Sequence, residues 1–437
     1  MTAQGKERRP MANLLSEVLK HEVYPAMGCT EPVSVAFCAA NAARLLLPHK
    51  TISIKLKIDP GTYKNGLAVA LPNTGGEKGN LMAAALGAVM ANPEAGPSVF
   101  RGLSTSDLEK ARSMLRRKSV SITIDHSRKG IYLSAQARSV KHTALCEIEN
   151  SHSAVTLLKK DGREIIRKKV GPSGTLAHYK SALLRTDFKG LFKEVETITP
   201  SQLDYIKEGV KLNLAASKEG LKIKKVGYYI SDLITKGYIK KDILSTAKMT
   251  TAAATDARMA GAPLPIMSSG QSGNQGVVAI LVPYLVGKAF KVPQKRILKS
   301  IALSHLVNAY IKVYTGELAP ICGCAVAAGV GAAVAIVWQQ KGADLAAATL
   351  AVNNLISDLG GTLCDGAKSG CALKVASSSD SAIRAAYMAI NGEGISELEG
   401  FIGRTAEETI RNIALISNTG MAQVDKVILE IMSSKNM

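Results

Sequence analysis

The second half of the chain consists of long apolar segments, rich in Ala and Leu, that are separated by three glycine-rich breaks. The breaks lie at residues 267–276, 316–324 and 359–371. Apolar segments with helical spacing predict helices, and glycine clusters mark the points where helices end. We therefore expect helices almost throughout the chain after about residue 175.

The first part of the chain has a different pattern. Residues 14–48 have helical spacing that is broken at "YPAMGCTEP", where Thr30 is expected to begin a second helix. Four later segments alternate apolar with polar residues, which predicts strands of an antiparallel sheet with one solvated face. These segments are "TISIKLKID", "SVSITID", "GIYLSAQARS" and "HTALCEIENSHSAVTLLKKDG". One helix, "GNLMAAALGAVM", is expected among them.

Together these patterns predict an α+β fold. A mainly helical body comprises residues 1–49 and 175–437, and an inserted α+β module with the antiparallel sheet comprises residues 50–174. The longest apolar run, Ala325 to Trp338, has 14 residues, which is too short for a membrane span. The first residues lack the apolar core of a secretory signal. We expect a cytoplasmic protein without a membrane partner, for which a homo-oligomer is possible.

The chain carries a formal charge of +20, a property that attracts nucleic acid or anionic surfaces. The excess lies away from the glycine-rich breaks, because residues 251–400 contain 11 Lys and Arg against 9 Asp and Glu. Aromatic residues make up only 4% of the chain, which leaves little surface for stacking bases. We expect a solvated basic face and no nucleic-acid partner. A non-catalytic basic protein that binds nucleic acid or an anionic surface is the alternative of another class.

Two polar loops that precede helices are candidates for binding a carboxylate. The Ser–Gly loop, residues 268–276, leads into an apolar helix, and the amides at a helix N-terminus attract anions. The loop lacks the Lys-Ser/Thr pair of a P-loop, so a small carboxylate suits it better than a nucleotide. The loop "PNTGG" at residues 72–76 is similar. The predicted substrate-binding residues are Asn73, Thr74, Ser268, Ser269, Gly270, Ser272 and Asn274. An ordinary helix cap or turn is the alternative for each loop.

The seven cysteines are expected to be reduced thiols, because their number is odd and no secretory signal is present. Cys38 and Cys146 lie in apolar patterns and are expected in the core. The other five lie where a helix meets a loop: Cys29, Cys322, Cys324, Cys364 and Cys371. The chain has no paired C-x2-C knuckles of the kind that bind zinc.

Three of these cysteines form a wide set that only tertiary folding can bring together. Cys322, Cys364 and Cys371 are separated by intervals of 42 and 7 residues. Three thiolates gathered from loops can hold an iron–sulfur cluster in which one iron lacks a protein ligand. The spacing therefore allows a cluster site.

Five motifs in order resemble the L-cysteine desulfidase family, which is related to the alpha chain of iron–sulfur L-serine dehydratases. The motifs are "GCTEP", "PNTGG", "SGQSGNQG", "CGCAVAAG" and "CDGAKSGCALKV", and the resemblance extends from about Leu14 to "SNTGMAQVD". It implies a [4Fe-4S] cluster that catalyses breakdown of L-cysteine to pyruvate, ammonia and sulfide. It also implies Cys322, Cys364 and Cys371 as ligands, although the interval of 7 is shorter than in the dehydratases. Cys324 is a rival to Cys322.

The expected reaction removes the Cα proton and releases the thiol with Lewis-acid help from iron. Cys29 is the candidate base, because a helix N-terminus, a cluster and a basic protein are expected to lower its pKa. A fourth cluster ligand or an inert thiol is the alternative for Cys29. The histidines give no better base, and His305 is expected to be a core residue. An iron–sulfur L-serine dehydratase and a pyridoxal-phosphate lyase are the alternative enzymes.

Overall fold

The computed structural model describes residues 13–128, 130–168, 178–316 and 318–435. Its mixture of many helices with a six-stranded sheet confirms the α+β prediction. The elements before residue 169 are α1 (Leu14–Glu22), β1 (Pro25–Ala26), α2 (Thr30–Arg44), β2 (Ser53–Ile58), α3 (Pro60–Gly66), α4 (Gly79–Met90), a 3-10 helix (Pro93–Ser98), α5 (Thr105–Arg116), β3 (Val120–Ile124), β4 (Tyr132–Arg138), β5 (Thr143–Glu149), β6 (Val155–Lys160) and β7 (Arg163–Arg167).

The later elements are helical except for one short strand, as the apolar pattern predicted. They are α6 (His178–Arg185), α7 (Phe188–Glu196), α8 (Pro200–Gly220), α9 (Val226–Thr235), α10 (Ile243–Met259), β8 (Ile266–Met267), α11 (Gly273–Ala289), α12 (Gln294–Thr315), α13 (Ala327–Lys341), α14 (Leu345–Leu359), α15 (Cys371–Ile390), α16 (Ala406–Leu415), a π-helical turn (Ile416–Gly420) and α17 (Val424–Ser434).

The sheet has the order β3-β2-β4-β5-β6-β7 and is mixed rather than wholly antiparallel. β2 pairs with β3 in parallel, whereas the other neighbouring strands pair antiparallel. A parallel pair needs a long crossover connection, and the chain supplies it with α3, α4 and α5. Lys55 and Lys57 project to the solvated face of β2, while Ile54 and Leu56 are buried on the face that packs against α2 and α4.

Helix α5 lies where the sequence was expected to hold only one helix, α4. Its start is marked by a capping box, in which Ser104 accepts a hydrogen bond from the amide of Asp107 and Asp107 accepts one from the amide of Ser104. The helix is mostly polar and buries Ala111 and Met114. Its apolar stripe is therefore too narrow to stand out by periodicity.

In the helical part, the run from Ala325 to Trp338 falls largely in α13, which is buried along most of its length. Small residues allow α13 to approach α12 closely, since a Cβ on Gly331 would lie 2.6 Å from the carbonyl oxygen of Ser304. In the described ranges, no helix has both the length and the apolar character that crossing a membrane requires.

A short antiparallel pairing of β1 with β8 joins the N-terminal segment to the chain just before the Ser–Gly loop. Pro25 pairs with Met267 and Ala26 with Ile266, so Cys29 follows β1 closely and the Ser–Gly loop follows β8. The proposed division into two bodies stays a prediction. Its second boundary, near residue 175, lies outside the described residues, and α2 shares a hydrophobic core with the sheet.

Candidate active site

One cavity contains most of the chemically reactive side chains that the sequence pointed to. Its lining includes the cysteines Cys29, Cys322, Cys324, Cys364 and Cys371. The polar and charged residues that share the lining are Glu31, Lys64, Asn65, His152, Arg258, Gln271, Ser272, Asn274, Gln275, Lys312, Thr315 and Lys374. The cavity is therefore built from α2, α3, the turn after β5 and the helical part of the chain.

Two backbone segments distant in sequence pair at the edge of this cavity. Ile321 and Leu363 form an isolated antiparallel bridge. The amide of Cys322 donates to the carbonyl of Thr362 at 2.7 Å, and the amide of Cys364 donates to the carbonyl of Pro320 at 2.7 Å. Main-chain hydrogen bonds thus place the two cysteines, 42 residues apart, on neighbouring segments.

Cys371 reaches the same cavity from the start of α15. Its thiol lies 3.7 Å from the carbonyl oxygen of Gly366, which holds the intervening loop in a tight turn. Gly366 has a φ of +90°, and a Cβ there would lie 2.4 Å from the carbonyl oxygen of Lys64. A residue with a side chain would be strained and would collide with α3. Glycine is therefore required for the loop between Cys364 and Cys371.

The four neighbouring thiols have different proton affinities. A hydrogen bond from the Cys324 thiol lowers the pKa of Cys322 to about 6 and raises the pKa of Cys324. Burial raises the pKa of Cys364 and raises that of Cys371 to about 11. Electrostatic repulsion from neighbouring thiols also raises the pKa of Cys324, Cys364 and Cys371. Cys322 is thus the thiol of this group that most readily carries a negative charge.

Two lysines stand beside these thiols and make hydrogen bonds to the same loop. Lys64 is 2% exposed and donates to the carbonyl of Cys364 at 2.8 Å and to Asp425 at 2.6 Å. Lys374 donates to the carbonyl of Leu363 at 2.5 Å and to Asp365 at 2.6 Å. Both ammonium groups lower the pKa of Cys364. The loop is therefore held by cations that also favour thiolates.

Cys29 lies on the same cavity and directly precedes α2, as expected. Its thiol donates a hydrogen bond of 2.8 Å to Oε2 of Glu31. The same carboxylate accepts hydrogen bonds from the Thr30 hydroxyl at 3.1 Å and from the Asn65 amide at 3.0 Å. Cys29 and Glu31 thus form a buried pair in which one proton lies between sulfur and oxygen.

The expectation that the pKa of Cys29 is lowered is wrong for this structure. Burial and the Glu31 carboxylate raise that pKa, and the weaker favourable effect of Arg258 does not compensate. For Glu31, burial favours the protonated form, but His152, the Cys29 thiol and Arg258 together outweigh it and lower its pKa. The pair therefore holds its proton on sulfur and its negative charge on oxygen.

His152, which the sequence gave no reason to choose, also lines the cavity. It lies in the turn between β5 and β6, and neither of its buried ring nitrogens has a hydrogen-bond partner. A histidine in a polar turn between two strands has no local sequence signal. Only the folded arrangement brings it beside Glu31.

The Ser–Gly loop divides into residues that line the cavity and residues that support the loop. Gly270, Ser272 and Asn274 line the cavity. Ser268 and Ser269 are fully buried away from it. The Ser268 hydroxyl donates to the carbonyl of Glu22 at 3.0 Å and accepts from the amide of Tyr24 at 2.9 Å. Ser268 therefore ties the loop to the segment that precedes β1.

Ser269 and His305 meet inside the helical core. The Ser269 hydroxyl lies 2.8 Å from Nδ1 of His305 and accepts a hydrogen bond from Asn308 at 2.9 Å. Burial lowers the pKa of His305 to about 3, so its imidazole is neutral. The prediction that His305 is a core residue is confirmed. Ser269 acts as a support for the loop through this contact.

The "PNTGG" loop does not reach the cavity. The Asn73 side chain donates to the carbonyl of Phe100 at 3.1 Å, and the Thr74 hydroxyl donates to the carbonyl of Leu71 at 2.8 Å. Pro72 packs against Gly28, where a Cβ would lie 2.6 Å from the proline ring. The loop supports the backbone turn just before Cys29. Asn73 and Thr74 therefore fit the alternative given for this loop, an ordinary turn, better than a binding site.

The cysteines expected in the core are found there. Cys38 and Cys146 are fully buried between α2 and the sheet, where the Cys38 thiol donates to the carbonyl of Cys146 at 3.3 Å. They are separate from the cavity, so the chain's thiols fall into a structural pair and a cavity group.

Comparison with known proteins agrees with this arrangement. The serine dehydratase alpha chain family matches residues 106–430, which is most of the chain and includes the three predicted ligand positions. The chain therefore belongs to the serine dehydratase alpha chain family. This family is associated with iron–sulfur serine dehydratases, and membership supports a lyase-type role.

Three similar relatives cover nearly the full length of the chain. A UPF0597 protein of Elusimicrobium minutum is 53% identical over 97% of this chain and 99% of its own length. A UPF0597 protein of Geobacter sulfurreducens is 49% identical over the same shares. A third, from Desulforapulum autotrophicum, is 38% identical over 96% of this chain and 97% of its own length.

Proposed function

We propose that this protein is an L-cysteine desulfidase, a carbon–sulfur lyase that degrades L-cysteine to pyruvate, ammonia and sulfide. The observation that carries the proposal is the cavity that is lined both by four neighbouring thiols and by the Cys29–Glu31 pair. Family membership supports the lyase class, and the substrate is our inference from the thiol chemistry.

Several thiols on one cavity suit an iron–sulfur cluster by their chemistry, because such clusters are held by cysteine thiolates. In the parts of the chain that the structure describes, no three His, Cys, Asp or Glu side chains are grouped closely enough for one ion. A zinc ion holds sulfurs about 2.3 Å from itself, whereas a cluster places its own irons and sulfides between the thiolates. Lys64 and Lys374 would offset part of the negative charge of such a group.

Cys322, Cys364 and Cys371 are the proposed ligands of a [4Fe-4S] cluster. Cys322 is favoured over Cys324 because its amide binds the carbonyl of Thr362 at 2.7 Å, which places it on the segment beside Cys364. When bound through three thiolates, the cluster supplies a Lewis-acidic iron that makes the substrate's sulfur a better leaving group.

The Cys29–Glu31 pair is the proposed acceptor of the substrate's Cα proton. The Cα–H bond breaks and the proton moves to Sγ of Cys29, while the proton already on that sulfur moves to Oε2 of Glu31. The pair, which starts with one negative charge, ends neutral. The Cα electron pair forms the Cα–Cβ double bond as the Cβ–S bond breaks, and the electron pair of that bond leaves with sulfur as hydrosulfide. The released enamine tautomerises to an imine, which takes up water to give pyruvate and ammonia.

An L-serine dehydratase is the second candidate, favoured by the family that matches the chain. The same residues would then act on a hydroxyl in place of a thiol. A pyridoxal-phosphate lyase has less support, because the lysines on the cavity already hold hydrogen bonds. Lys64 binds Asp425, Lys312 binds the carbonyl of Gly270 at 2.7 Å and Lys374 binds Asp365.

The test is to purify the protein without oxygen, measure iron and acid-labile sulfide, and assay pyruvate and sulfide release from L-cysteine and L-serine. We expect a brown protein with about four irons per chain that prefers L-cysteine. A preference for L-serine would assign the dehydratase. Colourless, iron-free and inactive protein would overturn both lyases. Salt-sensitive nucleic-acid binding that survives alanine at the three ligand positions would instead favour a basic binding protein.

A further inference from the structure

Arg258 brings an unpaired positive charge into the cavity. It lies at the end of α10 and is 4% exposed. Its Nη1 donates to Oδ1 of Asn274 at 3.1 Å, while its Nε has no partner. In the described ranges, the recorded hydrogen-bond partner of Arg258 is the Asn274 amide and not a carboxylate. A buried guanidinium that makes no direct contact with an anion is costly, so this position suits an anion that binds in the cavity.

The start of α11 lies against the same guanidinium. A Cβ on Gly273 would lie 2.4 Å from Nε of Arg258, so the absence of a side chain lets the helix start contact it. The Ser272 side chain makes no capping hydrogen bond to α11. The first amides of a helix have no acceptor within the helix and carry partial positive charge. Arg258 and the helix start therefore present donors to the same corner.

A second unsatisfied polar group lines the same cavity. The Oε1 atom of Gln275 is buried without a partner, and the residue is 5% exposed. Its side chain lies beside Gly323, where a Cβ would lie 2.8 Å from Nε2. Gln275 thus spans from the Ser–Gly loop to the loop that carries Cys322. An acceptor and the donors of Arg258 on one cavity suit a molecule with both an anionic and an N–H group.

Arg258 is also near the pair that we propose removes the proton. Its charge lowers the pKa of both Cys29 and Glu31, and all three residues line the same cavity. A ligand held by Arg258 would therefore lie in the same cavity as Cys29. This arrangement matches an α-amino acid, in which the carboxylate and the acidic proton are attached to the same carbon.

We infer that Arg258 binds the α-carboxylate of the substrate together with the amides at the start of α11. The inference rests on the proposed function and narrows the substrate to thiols with a free α-carboxylate. Arginine suits this task because its planar group can make two parallel hydrogen bonds to a carboxylate. Asn274, predicted from the sequence as a carboxylate ligand, instead orients the arginine.

The test compares two thiols that differ in the charged group. Calorimetric titration of the anaerobic, iron-containing protein with 3-mercaptopropionate and with cysteamine isolates the carboxylate, because both ligands offer the same thiol. We expect wild type to bind 3-mercaptopropionate at least about tenfold more tightly. Arg258→Gln should abolish the preference and raise KM for L-cysteine, while iron content stays unchanged. Arg258→Lys should retain part of the preference.

Arg296→Gln is the matched control. Arg296 also has a buried Nε without a partner, but it lies outside the cavity and donates to the carbonyl of Trp338 at 3.2 Å. This variant should keep the preference. If Arg258→Gln folds poorly, the titration of Arg258→Lys takes its place, and a preference equal to that of wild type would then contradict the inference. A preference that survives Arg258→Gln, or that is absent from wild type, overturns the inference. Binding is measured without turnover, so a protein that prefers the carboxylate but releases no sulfide would refute the proposed function alone.

Discussion

Cys322 and Cys29 lie on one cavity, and both are buried near the beginning of a helix, yet their surroundings act on them in opposite directions. Cys322 accepts a hydrogen bond from the Cys324 thiol, which lowers its pKa to about 6. Cys29 donates its hydrogen bond to the Glu31 carboxylate, which together with burial raises its pKa. The partner of the sulfur thus decides its charge.

The contrast separates two chemical roles. A sulfur that is already inclined to be anionic suits a metal ligand, because metal binding requires the thiolate. A sulfur that holds its proton against a carboxylate suits proton transfer, because the carboxylate can take the proton that the sulfur releases. A helix N-terminus and a basic protein do not by themselves make Cys29 a thiolate.

The largest expected effect is at the cysteines that we propose as cluster ligands. Cys364→Ser should remove the iron and all turnover, because an alcohol is a poor ligand for a cluster that thiolates hold. Iron assay and the anaerobic visible spectrum measure this. Cys38→Ser, at a thiol between α2 and the sheet, is the control for cysteine replacement and should retain iron. A brown, active Cys364→Ser protein would remove Cys364 from the ligand set.

The next largest effect is expected at the Cys29–Glu31 pair, which we propose accepts the proton. Glu31→Gln should lower kcat by about 10²–10⁴-fold, the usual contribution of a positioned base, because the amide cannot take the proton from Cys29. Iron content and spectrum should not change. Cys29→Ala should behave in the same way, and the double variant should lose little more than either single variant. Bleaching by Cys29→Ala would instead make Cys29 a ligand.

A smaller effect distinguishes Cys322 from its neighbour. Cys324→Ala removes only the hydrogen bond that favours the Cys322 thiolate, so the variant should keep its iron but take it up more slowly in anaerobic reconstitution. Cys322→Ala should not take up the cluster at all. If the two variants exchange these outcomes, the ligand is Cys324.

The smallest expected effect concerns Asp256, a buried carboxyl group whose pKa is shifted in the opposite direction from that of Glu31. Glu31 has nearby positive charge and a lowered pKa, whereas burial raises the pKa of Asp256 to about 6. The folded state therefore binds a proton at Asp256 more tightly than the unfolded chain, so this group makes the protein less stable as the pH rises from about 4 to above 6.

Asp256→Asn should remove this loss, because an amide stays neutral and its oxygen can still accept from the amide of Gly227. We expect a gain in the free energy of unfolding of about 1–3 kcal/mol at pH 8 and none near pH 4. Thermal unfolding at both pH values measures it. Asp107→Asn, at an exposed helix cap whose pKa is lowered, should lose stability at pH 8. A gain in the free energy of unfolding that is equal at both pH values would contradict the raised pKa of Asp256.

Much of the fold could be predicted because its signals are local. The start of α2 at Thr30, the alternation in β2 and the buried α13 each follow from a short stretch of sequence. The parallel pairing of β2 with β3 could not be predicted, since alternation shows which face of a strand is buried but not which strand lies beside it. The polar helix α5 was not predicted, because its apolar stripe is too narrow to give a clear helical period.

The site was predictable where residues are unusual for their position. Thiols flanked by glycines stand out from helical sequence, and the cavity contains all five of those singled out at helix–loop junctions. Arg258 and His152 did not stand out, because a charge on a helix and a histidine in a turn are ordinary at the surface. The sequence predicted Ser268 as a substrate-binding residue. Its hydroxyl instead makes hydrogen bonds to the backbone of Glu22 and Tyr24, which are distant in sequence and come near only in the folded chain.

The bridge between Ile321 and Leu363 has a consequence for how the protein would recover from oxidative damage. Its hydrogen bonds are made by the main chain, so the spacing of Cys322 and Cys364 does not depend on a bound metal. Zinc fingers behave differently, since they unfold when the ion leaves. We expect bleached protein to remain folded and to regain colour when iron and sulfide are returned under reducing conditions.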